Sequence, residues 1–165
     1  MNLTSVFDPD GRIPPRYTCE GRDDSPALRW SDVPSDVKSF VLIVDDPDAP
    51  GGTFVHWVLY DLPAETRALP EGIPARESVA GGGRQGLNDF GRVGYGGPCP
   101  PAGPSHRYVF TLSALDKQLG LAPRKQAADV RRAMRNHVLA EAQLVARFDR
   151  AHAAGGRPAR GLRVR

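Results

Sequence analysis

Residues 40–62 read FVLIVDDPDAPGGTFVHWVLYDL, and a run of this kind leaves the chain few choices. The apolar residues Phe40 to Val44 lead straight into Asp45, Asp46 and Asp48. Pro47, Pro50, Gly51 and Gly52 follow, and a second apolar run extends from Thr53 to Leu62. β-Branched and aromatic side chains dominate both runs, which predicts two strands. The Pro/Gly cluster between them can be neither helix nor central sheet, so it is a loop. Strand alternation then predicts His56, Val58 and Tyr60 on one face and Val55, Trp57 and Leu59 on the other. The loop turns its acids back toward the strand that carries His56, which makes this stretch a candidate site.

The chain has 165 residues, enough for one domain with a single proper core. We expect that domain to span 1–150, with an Arg-rich disordered tail over 151–165. Net charge sharpens the division. Residues 147–165 hold six arginines and one aspartate, a balance of +5, so the rest of the chain carries 16 basic and 18 acidic residues, or −2. A basic nucleic-acid-binding face is therefore not expected on the body. No apolar run reaches the roughly 20 residues of a transmembrane helix. The opening MNLTSVFDPDG has neither a basic n-region nor an apolar h-region, so a cytoplasmic location is expected. Cys19 and Cys99 are accordingly expected to be free thiols.

Other segments fill in the architecture. Ala27–Val33 alternates Leu28 and Trp30 against Arg29 and Ser31, as a half-buried strand does. Residues 80–103 are rich in Gly and Pro, too long for an idle connection in a compact domain. They also carry Phe90, Tyr95 and Cys99, which favours an ordered wall. Ser105–Leu115 predicts another strand, with His106, Tyr108 and Phe110 on one face. After Pro123, Val130, Met134, Val138, Val145 and Phe148 fall at helical spacing among several alanines. This predicts helix, divided into two pieces near Asn136 and His137.

Chemistry can be read from a few constellations. His56 and His106 each sit near a loop end of a strand, Tyr108 shares the face of His106, and Asp46 and Asp48 stand in the acidic loop. These would line one pocket if the strands are neighbours. Gly81–Gly83 is no phosphate-binding P-loop, since no Gly-Lys-Ser/Thr follows. Gly96-Gly97-Pro98 could turn backbone N–H groups toward an anion, or be a plain turn. Ser105 and His106 cannot form a dyad, because consecutive strand residues face opposite ways. Two histidines and a carboxylate also match a metal-ligand set, so a metal-dependent hydrolase or oxygenase using His56, His106 and Asp46 is the rival reading.

Three motifs in order, DDPDAPGGTFVHW, GYGGPCPP and HRYVFTLSALD, resemble the phosphatidylethanolamine-binding protein family in its bacterial, Raf-kinase-inhibitor-like branch. IPPRYTCEG, SPALRW and HVLAEAQLVARF are similar to that branch as well. The resemblance implies a mostly β fold. A central antiparallel Greek-key sheet would pack with a smaller sheet, and short helices would lie at the C-terminal end. It also implies a small preformed pocket for phosphate-type anions. That pocket would be built from Asp46, Asp48 and Pro50, from His56, from His106 and Tyr108, and from Gly97 and Pro98 at its rim. A metal-free, cofactor-free, non-enzymatic binder of a small anionic or phosphorylated ligand is expected, one that inhibits or modulates a kinase or protease partner. A homodimer is compatible with the sequence.

Overall fold

The computed structural model describes residues 1–150, so the expected disordered tail lies outside the described residues. The central strand is β3 (Ser39–Asp46), flanked by β4 (Phe54–Pro63) and β7 (His106–Leu115). β6 (Arg84–Gln85) pairs outside β4 and β8 (Val138–Phe148) outside β7, giving a five-stranded antiparallel sheet in the order β6-β4-β3-β7-β8. The chain leaves β6 at one edge and returns as β7 beside β3, the non-consecutive pairing of a Greek-key path. A second antiparallel sheet holds β1 (Asn2–Ser5), β2 (Leu28–Ser31) and β5 (Ala68–Leu69), with β2 in the middle. The only α-helix among the described residues is α1 (Ala127–Met134).

The unbroken apolar run of β3 follows from its position, since it is covered on both faces. Phe40, Leu42 and Val44 point to the small sheet and share a core with Leu3, Leu28, Trp30, Tyr108 and Phe110. Trp30 meets Phe40 edge-on, with ring centroids 5.5 Å apart. Val41 and Ile43 point the other way and pack with Val58, Tyr60, Val130 and Met134 under α1. The main core therefore lies between the two sheets, and the helix covers part of the far face.

Two sequence expectations are corrected here. The helical period ends at Met134. Asn136 adopts a left-handed backbone (φ 66°), and residues 138–148 then form a strand that pairs with the whole length of β7. Ala142, Leu144, Ala146 and Phe148 are its buried positions, a period of two in which alanines take core places. Pairing with β7 overrides the helix propensity of this Ala- and Leu-containing segment. The second correction is that Cys19 and Cys99 are not free thiols. They form a disulfide across Cα atoms 5.4 Å apart, well within bridging range.

Candidate functional site

The site lies at the end of the large sheet where β3 runs out into the acidic loop. β3 and β7 pair through Asp45 and Val109, so Asp46 and His106 emerge next to each other. His106 Nδ1 lies 2.6 Å from Asp46 Oδ2. The other carboxylate oxygen, Oδ1, accepts the Asp48 N–H at 2.8 Å, a local turn that fixes the start of the loop. Asp46 is thereby buried with both oxygens occupied. Since its carboxylate can only accept, His106 Nδ1 carries a proton and Nε2 is left for the cavity.

His56 arrives by a different device. Val44 and Asp45 on β3 pair with Trp57 and Val55 on β4, so one residue of β4, His56, has no counterpart. This β-bulge breaks the alternation read from the sequence. Val55, Val58 and Tyr60 belong to the helix-side core, whereas Trp57 and Leu59 belong to the core between the sheets. His56 sits on the inter-sheet side as well, its ring 5.2 Å from that of Tyr108 and 5.0 Å from that of Phe54. The expected separation of His56 from Trp57 onto opposite faces is thus incorrect. Trp57 is fully buried, and its indole N–H donates to Gln85 at 2.8 Å.

His56 Nδ1 lies 2.6 Å from the carbonyl oxygen of Gly96, so this nitrogen is the N–H and Nε2 is the bare one in the neutral ring. Burial lowers the pKa of His56, against the partial opposition of the Gly96 carbonyl and of Asp46. Tyr108 completes the polar floor. Its hydroxyl is sealed from solvent and makes no hydrogen bond of acceptable geometry within the protein. Desolvation raises the Tyr108 pKa strongly, with the nearby Asp46 carboxylate adding to the effect. It therefore remains a phenol, with its hydroxyl close to the Asp46 carboxylate.

Asp46, His56, His106 and Tyr108 line one cavity of about 150 Å³, together with Pro50, Ala49, Phe54, Phe90, Cys99, Pro100 and Pro101. Five of the eight residues singled out in the sequence are thus brought together. Asp48, Gly97 and Pro98 are not among the lining residues. Asp48 turns outward to Arg107, accepting from its backbone N–H at 2.9 Å, from Nε at 3.0 Å and from Nη2 at 2.8 Å. Those hydrogen bonds hold its carboxyl well below the usual carboxylate range. The N–H of Gly97 goes to Asp23 Oδ1 at 2.8 Å and that of Gly96 to the His56 carbonyl, so the pair forms no open anion nest.

Sequence reasoning missed Ala49, Phe54, Pro100 and Pro101 as lining residues and Gly96 as the acceptor for His56. For Phe54 the signal was present, because it stands two residues before His56 on the same strand. Residues 80–103 are an ordered wall, and Phe90 stacks edge-on against Phe54 with centroids 4.7 Å apart. The rival metal reading finds no matching geometry. Asp46 and His106 are engaged with each other, and among the described residues no group of three or more His, Cys, Asp and Glu side chains could hold a metal ion.

Comparison with known proteins places these features in context. The family model described as phosphatidylethanolamine-binding protein matches residues 3–149. A UPF0098 protein of Aquifex aeolicus is 54% identical over 140 residues, covering 84% of this chain and 81% of that protein. The UPF0098 protein YbhB of Escherichia coli is 42% identical over 78% of this chain and 84% of its own length. A crystal structure of a phosphatidylethanolamine-binding protein homologue from Chlamydia trachomatis superposes with a TM-score of 0.83 at 38% identity, covering 91% of this chain and 97% of that one. YbcL of Escherichia coli, described as a member of the mammalian family, gives a TM-score of 0.81 at 33% identity, covering 90% and 97%.

Proposed function

The chain belongs to the phosphatidylethanolamine-binding protein family, and on that footing we propose that its cavity binds a small phosphate-type anion in its monoprotonated form. The observation that carries this reading is that His56, fixed by the Gly96 carbonyl, and His106, fixed by Asp46, line one small cavity with their Nδ1 atoms already engaged. The volume agrees: a cavity of about 150 Å³ also suffices for benzene in another protein.

The two imidazoles complete the recognition with different roles. In its imidazolium form His106, paired with the Asp46 carboxylate through Nδ1, donates Nε2–H to the anion. Burial opposes a proton on His56, which leaves its Nε2 as an acceptor. A ligand that suits both must offer bare oxygens and one hydroxyl, as hydrogen phosphate or a phosphate monoester monoanion does. Apolar walls at Phe54, Phe90 and the prolines keep competing water away.

Binding without turnover is the expected mode. No Ser, Thr or Lys lines the cavity, and the sulfur of Cys99 is held in the disulfide. A phosphorylated side chain of a kinase or protease could enter by the same mouth, giving the modulatory role expected of the family. The test is calorimetric titration with inorganic phosphate at about pH 6 and 8, a range over which the ligand changes protonation. His106→Ala should weaken binding roughly ten- to a hundredfold, the worth of a charge-assisted hydrogen bond. Equal affinity in the two proteins would overturn the reading.

A further inference from the structure

Cys19 and Cys99 are both exposed. Cys99 nevertheless forms one side of the ligand cavity together with Pro100 and Pro101. The bond between them ties together segments 80 residues apart in sequence. One is the loop after the short 3-10 turn Pro15–Tyr17, and the other is the cavity wall at residues 94–101. That wall fixes His56, because Gly96 provides the carbonyl that holds its Nδ1.

Few other links join the two segments. Cys19 N–H donates to the Pro98 carbonyl at 3.1 Å, Gly97 N–H to Asp23 Oδ1 at 2.8 Å, and the Tyr95 hydroxyl to the Tyr17 carbonyl at 2.6 Å. The backbones are pressed close: a Cβ at Gly97 would come within 2.3 Å of both the Tyr17 oxygen and Asp23 Oδ1. Pro98, Pro100 and Pro101 have no N–H with which to add further bonds. Three hydrogen bonds and one covalent bridge hold this close approach, beside the packing of Tyr17 and Tyr95 against the core. Exposed disulfides are also the ones that an incoming thiolate can reach and reduce.

We propose that Cys19–Cys99 is a redox latch on the cavity wall, released by a dithiol reductant of the thioredoxin class, and that its release lowers ligand affinity. One thiolate of the dithiol attacks a sulfur of the bridge and forms a mixed disulfide. Its second thiol then resolves that intermediate. Two electrons and two protons end on Cys19 and Cys99 as thiols, and the reductant leaves as its own disulfide. The effect on affinity rests on the anion-binding reading above; the reducibility and the loosening of the wall do not.

The experiment treats the full chain with dithiothreitol in the absence of denaturant and counts alkylated cysteines by mass. Amide exchange is followed at Cys19, Gly96 and Gly97, and inorganic phosphate is titrated before and after reduction. Both cysteines should be labelled in the folded protein, and the three amides should exchange much faster while β3 stays protected. If only about one molecule in ten keeps the wall closed, phosphate binds about tenfold more weakly. The Cys19→Ser/Cys99→Ser variant should behave like the reduced protein; should it fail to fold, reduced wild type carries the test alone. A bridge that resists reduction until the protein unfolds overturns the latch. So does exchange, or phosphate affinity, that is the same before and after reduction. Oxidised protein that takes up no phosphate overturns the anion-binding reading instead, and the exchange data then decide the latch by themselves.

Discussion

Asp46 and His106 face each other across the β3–β7 pairing at 2.6 Å, and the same carboxylate also caps the Asp48 N–H. One buried side chain thus sets both the orientation of an imidazole and the start of the acidic loop. Asp46→Ala should leave two donors without acceptors, at about 1–3 kcal/mol for each one that stays buried. Thermal melts should show the loss, and phosphate titration should show weaker binding as His106 loses its orienting partner. Unchanged binding in a destabilised Asp46→Ala protein would restrict Asp46 to a role in folding.

His56 makes stability depend on pH. Burial sets its folded pKa below the unfolded value of about 6.5, so between the two the unfolded chain holds more protons. Stability is therefore complete above about pH 6.5 and declines as pH falls toward the folded pKa, by up to about 1.4 kcal/mol per pH unit. His56→Gln can still donate to the Gly96 carbonyl and does not titrate, so its melting temperature should lack this component. Parallel slopes for the two proteins between pH 7 and 5 would show that His56 is not the group responsible.

Arg107 holds the Asp48 carboxylate away from the cavity. Its ion pair with Asp48 is half exposed, so Arg107→Ala should lower stability only slightly and leave phosphate affinity unchanged. The small loss should be seen above the ordinary Asp value of 3.8 and fade as pH falls below it, because Asp48 has a depressed folded pKa. A marked drop in phosphate affinity would return Asp48 to the binding site.

The sequence made some of this legible and hid the rest for physical reasons. β3, β4 and β7 could be read because central strands need long apolar, β-branched runs. Asp46, His56, His106 and Tyr108 followed as residues at their loop ends. β8 was hidden because Ala142 and Ala146 hold its small core positions, and alanine also signals helix. The side taken by His56 was hidden by a bulge that only pairing with β3 reveals. The disulfide was hidden because nothing local links positions 80 residues apart; the fold alone brings them together.

The unpaired residue on β4 also works as a change of phase. Before it, the inter-sheet side of the strand carries Phe54, which lines the cavity. After it, the same side carries Trp57 and Leu59 and belongs to the core. The hydrophobic pattern restarts there, so the cavity-lining part of β4 is decoupled in register from the part that holds the sheets together. Positions 54 and 56 can therefore be randomised to re-aim the cavity at other ligands while the pattern from Trp57 onward is left as it stands.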